Sequence, residues 1–194
     1  MPTIAPHLKA GDLAPDITLL DIQGNRVQLA DFWKNGLTLM SFLRHFGCVH
    51  CRHRLAELEK HRDELTAAGF NLLAVGLGEP KHAERYCGKL APHLTCFADT
   101  VNEGYYAWGL RQGTMAEMRA QGFNILKASA KAMLDGQFQG AATGDIYMLP
   151  GAFIIDRGGI VRYAYYSQYA GDDPSIEVLI HEASALAVEP GSKH

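Results

Sequence analysis

Leu37-Thr38-Leu39-Met40-Ser41-Phe42-Leu43-Arg44-His45-Phe46-Gly47-Cys48-Val49-His50-Cys51-Arg52 is the stretch from which the rest of the chain is read. Residues 37–43 form a short, nearly continuous apolar run bounded by Gly36, the pattern of a strand buried on both faces of a sheet. Beyond Cys51, Leu55, Leu58, His61 and Leu65 recur at helical spacing until Gly69, so a helix is expected over 51–68. Two cysteines three apart therefore stand where a buried strand hands over to a helix.

That position carries chemistry. A thiol reacts as its thiolate, and the unpaired N–H groups at a helix start lower the pKa of a sulfur placed against them. Cys48 is expected in the first helical turn, with Arg44 and Arg52 adding positive charge nearby. His50 lies between the cysteines, where a partly protonated imidazole would favour thiolate over disulfide. Cys51, one turn on, is placed to close a disulfide with Cys48. Metal binding is the rival reading, because His45, Cys48, His50, Cys51 and His53 crowd one short segment. A structural zinc site draws its ligands from two separated segments, and no second such pair follows. Arg52 after Cys51, rather than His, removes covalent haem attachment.

Outward from this segment, strands and helices alternate. Apolar alternation around Gly24-Asn25 reads as a hairpin within 11–31. A buried strand is expected at 70–76, a helix over 81–90, a strand at 94–99 and a helix at 102–110. A further helix over 114–134 is interrupted by Gly122 and followed by a Gly-rich loop at 135–145. Strands at 152–156 and 160–165 flank the Arg157-Gly158-Gly159 turn, and Pro174 opens a last amphipathic helix to about 187. Such a pattern describes an α/β fold: a central mixed sheet flanked by helices, with an N-terminal β-hairpin extension and a helical insertion before the late strands. A β–Cys-x-x-Cys–α segment at a strand end is where a thioredoxin-like fold carries its chemistry.

The chain has 194 residues, 47% hydrophobic and 20% charged, with a formal net charge of −3. One domain over 1–194 is expected, with a core of about 10–187, an insertion at about 111–149 and a frayed tail at 188–194. Nothing in the charge pattern points to nucleic acid. No apolar run is long enough to span a membrane, and the N-terminus lacks a signal-peptide core, so a cytoplasmic address is expected.

Pro150 stands just before a buried strand in Tyr147-Met148-Leu149-Pro150-Gly151. A cis bond there would turn the Leu149 backbone toward an extended substrate beside the cysteines; a trans proline simply starting the strand is the alternative. Cys87 and Cys96 are read as buried core thiols, and Trp33 and Trp108 as packing residues. Gly76-Leu77-Gly78 lacks the third glycine of a dinucleotide fingerprint, and no cofactor or bound metal is called for. The interval 111–149 is longer than ordinary connections. Its Met115, Met118, Phe123, Met133 and Phe138 suit either an apolar cover over the site or a helix packed on the sheet edge. Tyr163, Tyr165, Tyr166 and Tyr169 suit a homodimer surface or simple edge-strand alternation.

With these residues in place, the chain resembles the peroxiredoxin-like branch of the alkyl hydroperoxide reductase/thiol-specific antioxidant family, within the thioredoxin superfamily. The resemblance rests on Gly11-Asp12-Leu13-Ala14-Pro15-Asp16, on Phe42 to Arg52, and on Pro150 to Gly159. The family motif Pro-x-x-x-Thr/Ser-x-x-Cys puts Arg44 at its proline, Cys48 at its threonine and Cys51 at its peroxide-attacking cysteine. The arginine with which the family polarises peroxide falls on Pro150. Arg44 is the candidate to replace its charge.

Two redox functions are therefore expected. In the first, a thiol-disulfide oxidoreductase, Cys48 attacks a substrate disulfide, Cys51 resolves it, and Leu149 and Pro150 hold the substrate. In the second, a thiol-dependent peroxidase, Cys51 is oxidised and Cys48 resolves it. Either needs an external thiol donor of the thioredoxin, glutaredoxin or glutathione type. Dithiol exchange is the favoured expectation, and a non-catalytic metal-binding or redox-sensing module is the third.

Overall fold

The computed structural model describes residues 3–188; the tail expected at the C-terminus lies, from residue 189 on, outside them. The expected hairpin is β1 (Thr18–Leu20) and β2 (Arg26–Gln28), closed by Asp21, whose carboxylate accepts the Gln23 and Asn25 amide N–H groups at 2.9 and 2.8 Å. A short α1 (Ala30–Trp33) leads into β3 (Leu37–Phe42). The helix after the cysteines is two: α2 (Val49–Lys60) breaks at His61, whose φ of −101° and ψ of 15° are not helical, and α3 (Arg62–Ala67) continues to Gly69. Then follow β4 (Phe70–Leu77), α4 (Pro80–Leu90), β5 (Thr95–Asp99) and α5 (Glu103–Ala107).

The expected 114–134 helix also divides, into α6 (Met115–Ala120) and α7 (Gly122–Leu134). Thr114 starts it with a reciprocal cap: its hydroxyl accepts the Glu117 N–H, and the Glu117 carboxylate accepts the Thr114 N–H at 2.7 Å. The chain closes with β6 (Gly151–Ile155), β7 (Val161–Tyr166) and α8 (Ile176–Val188).

The strands form one mixed seven-stranded sheet of order β2-β1-β5-β4-β3-β6-β7. Strands β3, β4 and β5 run parallel, while β6 lies antiparallel beside β3 and β7 beside β6. Period-two alternation divides their side chains between two cores. Leu39, Leu72, Ala74, Cys96 and Ile154 face α2, α3, α4 and α8. Met40, Phe42, Leu73, Val75, Phe97 and Phe153 face the other way, onto Trp33, Tyr105 and Trp108. The two tryptophans are fully packed, with Trp108 edge-on to Phe153 at 4.9 Å between ring centres.

Cys87 and Cys96 are not free core thiols. They form a disulfide, because the last turn of α4 lies over β5 and brings their Cα atoms to 6.5 Å, within bridging distance. The β7 tyrosines are partly engaged within the chain. The Tyr166 hydroxyl receives the Leu8 N–H at 2.7 Å and donates to the Trp108 carbonyl at 2.8 Å, His7 stacks on its ring, and Tyr165 donates to Asp172.

Candidate active site

Strand β3 ends against Tyr105, whose buried hydroxyl reaches the Leu43 and Val75 carbonyls and pins the point where the chain leaves the sheet. Residues 44–48 then turn into α2. Cys48 is its N-cap, in extended conformation (φ −67°, ψ 133°), and Cys51 is the third helical residue. Both are free thiols, both buried, and the structure is thus the reduced form of the pair.

The two sulfurs share a hydrogen bond that sets their acidities. The Cys51 thiol donates to Cys48, which with the Arg44 charge and the helix-start amides draws the Cys48 thiol down to about 6 against the cost of burial. Burial and the neighbouring Cys48 sulfur push Cys51 up. One negative charge therefore resides on the pair at neutral pH, mainly at Cys48. The Cys51 sulfur also accepts the Arg44 backbone N–H at 3.1 Å, a donor aimed at charge developing there.

His50 does not act as the expected cation. Its ring is buried, and burial together with Arg44 lowers its pKa to about 4, so it is neutral at pH 7. Its Nε2 shares a hydrogen bond with the Ser129 hydroxyl on α7 at 3.2 Å. Arg52 also turns away from the sulfurs: it donates to the Phe138 carbonyl at 2.5 Å and lies over the Tyr86 ring. The histidines diverge too. His45 accepts the Thr143 N–H, and His53 pairs with Asp135 at 2.8 Å. Among the described residues no group of three His, Cys, Asp or Glu side chains could hold a metal ion.

Within the stretch 111–149, α7 packs on α2 and residues 139–143 on the cysteine loop, while the α6 region shares a cavity wall with the end of edge strand β7. A strap of 137–143 seals Cys48 from above. The Gly140 N–H donates to the Gly47 carbonyl at 2.8 Å, the Gln139 amide oxygen accepts the Val49 N–H at 3.1 Å, and Gln139 Nε2 returns to the Gly47 carbonyl at 3.2 Å. Thr143 accepts the Phe46 N–H at 3.1 Å and donates to the Leu77 carbonyl at 2.8 Å. This cover is polar; the apolar Phe123, Leu134 and Phe138 face outward. Cys48 is 0% exposed beneath it.

Pro150 has a trans bond, since no cis peptide occurs among the described residues. The Leu149 N–H is already given to the Arg111 carbonyl at 3.0 Å and the Pro150 carbonyl accepts the Ser167 N–H, so neither is free for a substrate strand. Pro150 instead walls a cavity of about 10 Å³ beside Cys51, lined also by Arg44, His50, Arg54 and Asp173. That is room for one water-sized group. A larger cavity of about 410 Å³ is also bounded by Pro150, but no cysteine reaches it.

Sequence reasoning missed Arg54, which is 1% exposed in this cavity. A signal existed: it follows Cys51 by three residues and so shares its helix face, but an arginine in a helical register ordinarily reads as surface.

The profile of the AhpC/TSA family matches residues 10–164. The chain belongs to the AhpC/TSA family. It is similar to the prostamide/prostaglandin F synthase of Salmo salar, 31% identical over 86% of this chain and 82% of that protein. It is also similar to peroxiredoxin Bcp of Escherichia coli, 31% identical over 53% of this chain and 67% of that one. In fold it matches peroxidoxin BcpB of Mycobacterium tuberculosis, with a TM-score of 0.69 at 13% identity over 93% of this chain and 99% of that one. This AhpC/TSA protein is thus a redox enzyme, a thiol-based oxidoreductase of the peroxiredoxin-like, thioredoxin-like type.

Proposed function

We propose that the chain is a thiol-dependent peroxidase in which Cys51 attacks the peroxide and Cys48 resolves it. One observation carries this reading: the pair is sealed, and the opening at Cys51 has room only for a water-sized group. A hydroperoxide end fits there; a peptide disulfide does not. As Cys51 attacks, its S–O bond forms and the O–O bond breaks. The Cys51 proton passes along its hydrogen bond to Cys48 and on to the departing RO⁻, leaving ROH. The Cys48 thiolate, restored, then attacks the Cys51 sulfenic acid, and hydroxide leaves as water after taking a proton. An external thiol donor reduces the resulting disulfide.

Mass spectrometry after one equivalent of hydrogen peroxide tests this. The expected product is a Cys48–Cys51 disulfide, and Cys48→Ser is expected to hold a sulfenic acid on Cys51. Sulfenic acid on Cys48 in Cys51→Ser, with none on Cys51 in Cys48→Ser, reverses the assignment. Hydrogen peroxide is expected to react at least about tenfold faster than cumene hydroperoxide, since one extra group already overfills a water-sized cavity. The lowered pKa of Cys48 favours a second reading, dithiol exchange led by Cys48. It requires the strap to open, and Cys48→Ser would then abolish reduction of a model disulfide.

A further inference from the structure

Arg54 projects from α2 one turn beyond Cys51 and on the same face. Its Nη1 is engaged, donating to the Glu57 carboxylate at 2.9 Å and to the Pro174 carbonyl at 3.0 Å. Its Nε and Nη2 are buried and meet no partner. A buried cation with idle donors is costly, and in native structures such a group has a reason to be there. The same side chain lines the Cys51 cavity, together with Arg44, whose Nε is likewise buried without a partner. Pro150, also in the lining, has no N–H to offer. The cavity therefore gathers two guanidinium groups with unused N–H donors beside one sulfur, with the Asp173 carboxyl also in its lining and Glu57 already paired to Arg54, in a volume of about 10 Å³. A small oxygen acceptor bound there would give the idle Arg54 donors a partner.

We infer that Arg54 is a catalytic residue of the peroxide reaction, its Nε and Nη2 hydrogens binding the oxygens of the hydroperoxide at Cys51. This rests on the peroxidase reading and gives it a binding group. In the reaction the electron pair of the broken O–O bond leaves on RO⁻, while the sulfur is oxidised by two electrons. The guanidinium meets that developing charge in a site closed to water, where preorganised donors act most strongly. Its tie to Glu57 and Pro174 holds the fork in place before the substrate arrives.

The test compares two reactions of the reduced protein: oxidation by hydrogen peroxide, and alkylation by iodoacetamide read at Cys48, which releases iodide, needs no oxygen donor and reports the fold and the strap. In Arg54→Gln the peroxide rate is expected to fall about 10²-fold, the scale of losing such donors, while alkylation stays within about threefold. Arg54→Lys, which keeps a cation but not the fork, is expected to fall about tenfold, and it serves if the glutamine variant does not fold. If alkylation shifts in parallel with the peroxide rate, Arg54 is structural and the inference is overturned. If the peroxide rates of both variants match wild type, it is overturned while the peroxidase reading stands. A wild-type protein no faster toward peroxide than free cysteine overturns that reading and the inference with it.

Discussion

Adding one methyl group at Gly47 should open the site. A Cβ there would lie 1.8 Å from the Ala141 carbonyl oxygen and 2.9 Å from its carbon. A tolerable C···O contact is about 3.3 Å, so the strap has to withdraw by roughly 1.5 Å. Bonds that now measure 2.8, 3.1 and 3.2 Å, from Gly140 to Gly47, Val49 to Gln139 and Gln139 to Gly47, then pass beyond hydrogen-bonding range. At about 1 kcal/mol net for each, the closed strap loses about 3 kcal/mol, roughly a hundredfold in its closed-to-open ratio. The assay is iodoacetamide labelling of the reduced protein at pH 7.5, read at Cys48 by peptide mass spectrometry, with amide exchange at Val49 and Gly140 alongside. Gly47→Ala should label Cys48 faster by about 10²-fold and lower the unfolding free energy in urea by up to about 3 kcal/mol, with labelling still far faster than global unfolding allows. Labelling at the wild-type rate in folded protein would refute the claim that 137–143 gates Cys48. So would a rise that merely tracks global unfolding.

Two further outcomes concern stability. His45 and His50 are both held near 4 by burial and the Arg44 charge, below their unfolded value of 6.5. The unfolded chain therefore binds more protons as pH falls from 6.5 to 4, and stability should drop through that window by up to about 2.7 kcal/mol per pH unit; denaturant titrations of His45→Gln and His50→Gln should each show a shallower fall. The Cys87–Cys96 disulfide closes a loop of sequence separation 9, so a Cys87→Ser/Cys96→Ser protein should lose about 2.7 kcal/mol in urea unfolding without reductant, and none relative to wild type in its presence.

The Cys-x-x-Cys pair, its place between β3 and α2, and the strands at 70–77, 95–99 and 151–155 were legible because local pattern determines them: apolar runs bounded by glycine, helical spacing, and two thiols three apart. The family was legible for the same reason. Direction and pairing were not. Arg52 and Arg54 are equally basic in the sequence, yet the helix register turns one out to Tyr86 and Phe138 and the other into the Cys51 cavity. His50 was read as a cation because charge follows from residue type, whereas its protonation follows from the burial that α7 imposes. The Cys87–Cys96 bond depends on how α4 lies across β5, and the engagement of the Leu149 N–H and the Pro150 carbonyl on Arg111 and Ser167. The sequence by itself determined the family and the place of two thiols, three apart, between β3 and α2. Only the tertiary structure decided which sulfur faces the cavity, which guanidinium waits there, and that a strap nearly a hundred residues away along the chain closes over the other thiol, because these depend on contacts between segments that local pattern does not encode.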